Sequence, residues 1–108
     1  MATYLVQGSY TSGSWATQIQ NPQNRLEQVG KMFASKGVKF LHGYYAFGDF
    51  DICIIMEGPD NVTAASALIA AAAGGALSNI QTTVLMTAEE GLDAIKGAGS
   101  VEYKPPSA

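Results

Sequence analysis

Three side chains in the middle of the sequence belong to types that perform acid–base chemistry. His42 is the only histidine. Histidine is the side chain that changes charge closest to neutral pH, so His42 is a candidate general base. Asp49 and Asp51 bracket a predicted tight turn, where two carboxylates could form an acid–base or cation-binding pair at the mouth of a pocket. The sequence therefore predicts His42 and Asp51 as catalytic candidates and Asp49 as a ligand-binding candidate.

The same three residues also have structural interpretations. Aspartate is favoured in turns because its carboxylate accepts hydrogen bonds from nearby backbone N–H groups. That interpretation suits Asp49 best, whereas Asp51 begins a predicted strand. A lone histidine in a strand is usually a structural hydrogen-bonding group. Both interpretations stay open for His42 and for Asp51.

The sequence predicts no cofactor and no metal site. No second histidine can join His42, and a single cysteine excludes an internal disulfide and any Cys-rich metal site. A haem needs only one axial histidine, so haem alone is left open. Cys53 lies in an apolar segment without a nearby cation, which predicts a buried, inert thiol.

Aromatic side chains could line a pocket for a flat, apolar ligand. They are Tyr10, Trp15, Tyr44 and Tyr45. A phenol could orient such a ligand, although core or dimer packing is the alternative use of aromatic area. Tyr10 and Trp15 flank a loop of small polar residues. Together with Tyr44 and Asp49 they form the predicted ligand-binding set.

The residue pattern predicts four strands and three helices. β-Branched and aromatic residues mark the strands, residues 3–10, 38–47, 51–57 and 77–86. Helical spacing or alanine-rich composition predicts helices over residues 23–36 and 62–73, and a capping box at Thr87 begins a short helix that runs to about Lys96. Asn21 is the predicted N-cap of the first helix, with Pro22 at its first position.

The order of these elements is β-α-β-β-α-β followed by a terminal helix, the ferredoxin-like split βαβ pattern. It predicts an α+β fold with one antiparallel four-stranded sheet and two helices on one face. We assign residues 1–97 to this single domain and residues 98–108 to a loosely held C-terminal tail.

Both faces of the predicted sheet are apolar, so both should be buried. In the third strand one side carries Ile52, Ile54 and Met56, and the other carries Cys53 and Ile55. In the second strand one side carries Val38, Phe40, His42, Tyr44 and Ala46, and the other carries Leu41, Tyr45 and Phe47. Because two helices cover only one face, the other face predicts a homodimer with its sheets face to face.

Composition excludes several classes of protein. The chain has 108 residues, enough for one domain. Charged residues make up 14% of it and the net charge is −3, which argues against a nucleic-acid partner. The most apolar window, residues 64–77, is shorter than the roughly 20 residues that span a bilayer, and no signal peptide is apparent. We therefore expect a cytoplasmic protein with no membrane partner.

Several segments resemble the GYD domain family of small bacterial and archaeal proteins. They are Gly8-Ser9-Tyr10-Thr11, Tyr44-Tyr45-Ala46-Phe47-Gly48-Asp49-Phe50-Asp51, Gly58-Pro59-Asp60-Asn61 and Thr82-Thr83-Val84-Leu85-Met86-Thr87. Phe50 stands where the tyrosine that gives the family its name usually lies, so that hydroxyl is missing. The resemblance spans roughly residues 3–97. It implies a ferredoxin-like fold that pairs as a dimeric α/β barrel, and it implies no particular reaction.

Two functions follow as expectations. The first is a homodimer or larger homo-oligomer that binds a small apolar or aromatic molecule or serves mainly as an assembly module. The alternative is a cofactor-independent oxygenase or isomerase acting on a small aromatic or enolisable substrate. In that enzyme His42 or Asp51 would be the base and Tyr10 or Tyr44 the orienting donor. The alternative requires the base to point into a closed cavity beside a tyrosine hydroxyl.

Overall fold

A computed structural model describes residues 1–107 and places them in an α+β fold. The strands are β1 (Ala2–Tyr10), β2 (Lys39–Tyr45), β3 (Ile52–Gly58) and β4 (Leu77–Leu85). The helices are α1 (Ser12–Gln20), α2 (Arg25–Ala34), α3 (Asn61–Ala73) and α4 (Ala88–Ala98). The sheet has the order β2-β3-β1-β4, and every neighbouring pair is antiparallel. The predicted ferredoxin-like fold is confirmed.

The first crossover contains two helices rather than one. Thr11 caps α1 by accepting a hydrogen bond at its side-chain oxygen from the N–H of Ser14. The predicted N-cap role of Asn21 is wrong, because Asn21 is the C-cap of α1, where its N–H donates to the carbonyl of Thr17, and α2 begins only at Arg25. Asn24 caps α2 instead, accepting from the N–H of Glu27 at 3.1 Å.

The predicted helix over residues 23–36 is shorter in the structure, where α2 ends at Ala34. Gly37 ends the turn after α2 with a φ of 76°, a conformation that favours glycine. Asp60 caps α3, and its carboxylate accepts from the N–H of Thr63 at 2.7 Å. That bond lowers the pKa of the Asp60 carboxyl. Thr87 opens α4 with the predicted capping box.

The core lies between one face of the sheet and helices α2 and α3. The buried strand residues on this face are Tyr4, Val6, Tyr10, Ile52, Ile54 and Met56. From α2, Phe33 meets Phe40 edge to face with ring centroids 5.4 Å apart. None of the helices described within residues 1–107 is long and apolar enough to cross a bilayer.

A β-bulge in β2 changes which side chains share a face. Phe40 pairs with Met56 and His42 pairs with Ile55, so Leu41 has no opposite residue. Because opposite residues in an antiparallel pair lie on the same face, Phe40 faces the helices and His42 does not. The prediction that these two side chains share a face is therefore wrong.

The same bulge moves Tyr44 and Tyr45. Tyr44 pairs with Cys53 on the face away from the helices, and Tyr45 pairs with the buried Ile52 on the helix face. Gly43 confirms the shift, since a Cβ built on it would lie 3.6 Å from a methyl carbon of Leu26 in α2. The predicted grouping of Tyr44 with Phe40 is corrected in the same way.

We call the second face of the sheet the open face, and none of its side chains is fully buried. It comprises Thr3, Leu5, Gln7, Ser9, Lys39, His42, Tyr44, Cys53, Ile55, Glu57, Asn79, Gln81, Thr83 and Leu85. Leu5 and Ile55 lie directly opposite each other on the two central strands. Polar side chains flank this apolar centre, so the face is less uniformly apolar than the sequence pattern suggests.

Candidate functional site

The end of β1 and the start of α1 bring two of the predicted ligand-binding residues together. Tyr10 is the last residue of β1 and is buried. Trp15 lies one turn into α1, and its ring meets the Tyr10 ring edge to face with centroids 5.0 Å apart. The N–H of Thr11 donates to the carbonyl of Ala76 at 2.9 Å. This bond holds the start of α1 next to the residue that precedes β4.

Asp51 holds the same corner from the other side. Its carboxylate accepts a hydrogen bond from the backbone N–H of Tyr10 at 2.9 Å. Its own N–H donates to the carbonyl of Gly8, and its carbonyl accepts from the N–H of Ala46, both at 2.8 Å. Asp51 therefore extends the sheet hydrogen bonding by one residue before the start of β3, and one of its carboxylate oxygens is occupied by the backbone.

In this corner of the fold, Tyr10 is the titratable residue whose pKa is shifted by burial. Burial raises the pKa of Tyr10, and nearby Tyr45 and Asp51 raise it further, while the guanidinium of Arg25 acts in the opposite direction. Tyr10 therefore stays protonated at neutral pH. Its chemistry in this site is that of a hydrogen-bond donor rather than a base.

A small apolar cavity lies beneath Tyr10, between the sheet and helices α2 and α3. Its volume is about 60 Å³, and its walls include Val6, Leu26, Phe33 and Ile54. A cavity that accepts benzene measures roughly 150 Å³. The apolar cavity alone is therefore too small for an aromatic ligand.

A larger polar groove of about 470 Å³ adjoins the same corner. Hydroxyl, amide and glycine residues of α1, of the α1–α2 connection and of the Gly74-Gly75 loop line it. A groove of this size is in the usual range for small-molecule sites, about 300–1,000 Å³. Arg25 and Ala76 line both the groove and the apolar cavity, so the two spaces meet at these residues.

Arg25 is the residue of this site that the sequence analysis missed. It is the only charged side chain among the groove's lining residues. The one ion pair within residues 1–107 joins Lys31 to Glu27, so Arg25 has no carboxylate partner in the described part of the chain. No signal in the sequence marked its position, because α1 separates the end of β1 from the start of α2.

The remaining predicted site residues lie elsewhere. His42 is exposed on the open face, where its ring stacks on Tyr44 with centroids 6.4 Å apart. Asp49 lies at the tip of the β2–β3 connection, in a shallow groove of about 290 Å³ that Phe47 and Phe50 also line. The structure thus separates the predicted ligand-binding set. Tyr10 and Trp15 are together, and Tyr44 and Asp49 are at two other places.

Metal-binding side chains do not gather anywhere in residues 1–107. No group of three or more His, Cys, Asp or Glu side chains there could hold an ion. Cys53 is half-buried on the open face rather than fully buried as its apolar segment predicted.

The raised pKa of Tyr10 gives a testable pH dependence. Because the folded state holds the phenol proton more tightly than the unfolded chain does, this contribution to stability is complete below the unfolded value of 10.0 and is lost as the pH rises through the folded value. Urea unfolding at a series of pH values around 10.0 should show a smaller alkaline loss in Tyr10→Phe than in the parent protein. Tyr103→Phe, at a residue that is 74% exposed, is the control. An alkaline loss that is the same in Tyr10→Phe and the parent would contradict the assignment.

The fold occurs in solved structures of distant sequence. The crystal structure of MtbAldR matches with a TM-score of 0.58 and 12% identity over 80% of this chain and 53% of that one. The crystal structure of FFRP-DM1 matches with a TM-score of 0.54 and 11% identity over 80% of this chain and 100% of that one. This chain spans about half the length of MtbAldR. At such identities the likeness establishes the fold alone.

The sequence itself matches one family. No curated protein matches it significantly. The profile of the GYD domain matches residues 4–95, which run from β1 into α4 and include Tyr10, Arg25 and the whole open face except Thr3. The chain therefore belongs to the GYD domain family.

Proposed function

We propose that the protein is a homodimeric module, formed through the open faces of two sheets, that binds a small molecule at the corner of Tyr10 and Arg25. The observation that carries the proposal is a sheet with helices on one face and an uncovered apolar centre on the other. A cytoplasmic location, where the free thiol of Cys53 stays reduced, is part of the same proposal.

The open face supports the dimer through its energetics. Leu5 and Ile55 are only half-buried in the single chain, although they occupy the middle of the sheet. A standard interface of about 1,600 Å² that is about 60% apolar gains roughly 24 kcal/mol from burial. Association costs about 4–15 kcal/mol in lost translation and rotation, plus side-chain ordering and the desolvation of polar groups, so a gain of this size is what a stable dimer requires. A second copy is always present at the same concentration, and a two-fold interface joins the same patch of both copies.

The groove at Arg25 supports the ligand. An unpaired guanidinium beside a protonated phenol offers donors for a carboxylate or another acceptor group. The adjoining apolar cavity can take a short apolar end, whereas hydroxyl and amide side chains of the groove suit a polar body. The ligand class that fits best is a small organic acid with an apolar or aromatic part.

The enzyme alternative draws less support from the same geometry. His42 is exposed beside Tyr44 and lines none of the described cavities. Asp51 accepts a backbone hydrogen bond at its carboxylate and lines none of them either. An oxygenase or isomerase would need one of them in a closed cavity beside a phenol, and in the single chain neither is.

Ile55→Lys tests the dimer. It places an unpaired charge at the centre of the proposed interface, at a cost of several kcal/mol per ion, and removes two half-exposed apolar side chains per dimer. The dissociation constant should therefore rise by at least about 100-fold, measured by light scattering across a dilution series. Ile69→Lys, at a position on α3 that is 67% exposed, should leave the mass unchanged. An unaltered dimer in Ile55→Lys with native circular dichroism would rule out the open face as the interface.

Arg25→Gln tests the ligand site. A charge-assisted hydrogen bond contributes about 1.5–3 kcal/mol, so the variant should weaken binding of benzoate by about 10- to 100-fold. Backbone amide shifts in an NMR titration are the measurement, and they should fall on residues 11–18 and 74–76. Lys31→Gln, on the next turns of the same helix, is the matched control and should bind as the parent does. Shifts that fall elsewhere, or equal binding in Arg25→Gln, would contradict the proposed site.

A further inference from the structure

Helix α4 stands apart from the rest of its own chain. It has no buried residue, and it makes no extensive contact with any other strand or helix of residues 1–107. The radius of gyration is 17.5 Å and the longest dimension is 58 Å, whereas a compact chain of this length has a radius of gyration of about 13 Å. We call residues 87–107 the C-terminal arm.

The arm nevertheless has the local features of a docked helix. Its capping box is complete, with Thr87 and Glu90 exchanging two hydrogen bonds at 3.0 and 3.1 Å. Leu92 and Ile95 lie one turn apart and are 50% and 71% exposed. An isolated helix of this length is marginal in water. A surface that covers Leu92 and Ile95 would supply the missing stabilisation.

Charge indicates which surface that is. The arm carries four acids, Glu89, Glu90, Asp93 and Glu102, against two lysines. The segment formed by α2 and the turn after it, residues 25–38, carries three of the chain's six cations, Arg25, Lys31 and Lys36, against one acid. Between these lysines Met32 is 54% exposed. The two surfaces are complementary in sign, and each has an apolar centre.

The arm and this basic segment of the same chain start from opposite edges of the sheet. The arm follows β4, and the order β2-β3-β1-β4 puts β2 at the far edge. With strands about 4.8 Å apart, these two edges are separated by roughly 14 Å across the whole sheet. The alternative surface for the arm, at the near edge of the sheet, is the groove between α3 and β4. Uncharged side chains such as Ile69 and Val84 line this groove, so it offers no cation to the acids of the arm.

We propose that the arm of each protomer packs on α2 and the turn after it of a second copy. Leu92 and Ile95 cover the exposed Met32, and the acids of the arm face Lys31 and Lys36. The inference rests on the homodimer proposed above and adds a second contact to it, outside the open face.

Zero-length carbodiimide coupling of the unaltered protein tests this contact. It joins a lysine amine to a carboxylate only where the two are in contact. Protein labelled with ¹⁵N and unlabelled protein are mixed, exchanged and coupled, and cross-linked peptides are identified by mass spectrometry. We expect peptides of mixed isotope that join residues 89–93 to residues 31–36. Mixed-isotope products should fall several-fold in Leu92→Ser/Ile95→Ser and stay unchanged in Ile69→Ser.

Each other outcome overturns the inference. Arm cross-links of a single isotope would show that the arm folds back on its own chain. Mixed-isotope links to the α3–β4 side, or a dimer in light scattering without any link from residues 89–93, would remove the arm contact and leave the open-face dimer intact. A monomer in light scattering would overturn both, so failure of the arm and failure of the dimer are distinguishable.

Discussion

A four-stranded sheet has two faces, and this chain provides a helical layer for one of them. The buried side chains of β1 and β3 all point to α2 and α3. The alternate residues of the same strands, Leu5 and Ile55 among them, remain uncovered. Every other feature depends on this imbalance. It leaves an apolar surface exposed to water, and this exposed surface is the basis of the proposed homodimer.

The proposed ligand corner depends on the covered face. Asp51 and the Tyr10–Trp15 contact fix the end of β1, and the first crossover returns Arg25 to the same end. The carboxylate that sequence reasoning offered as a base is thereby used to hold the backbone. What remains free for a ligand is a set of donors, the guanidinium and a phenol whose pKa burial raises. Such a set recognises acceptor groups and does not abstract protons.

The sequence predicted most of the fold because local signals and topology agreed. The capping box at Thr87 placed the start of α4 correctly, and the predicted helix over residues 62–73 matches α3 to within one residue. Asn21 and Asn24 are both favourable N-cap residues, and residue propensity alone could not decide between them. In the structure Asn21 ends α1 and Asn24 begins α2. The strand order followed from the order of strands and helices along the chain, because only a few sheet topologies are compatible with that order.

The candidate site was harder to predict, for reasons that lie in particular residues. The bulge at Leu41 has no marker in the sequence, and a shift of one residue moves every later side chain of β2 to the other face. His42 and Tyr44 were misplaced for that reason. Tyr10 and Trp15 were placed together because they flank one short loop. Arg25 was overlooked because a single cation forms no recognisable pattern in the sequence. Only the folded crossover places it at the groove and the cavity.

The mass of the intact protein under native conditions tests the central claim most directly. Native mass spectrometry at micromolar concentration should give twice 11.3 kDa or a higher even multiple of it. A mass of 11.3 kDa that persists at higher concentration would mean that the open face is stable in water, and it would contradict the proposed assembly.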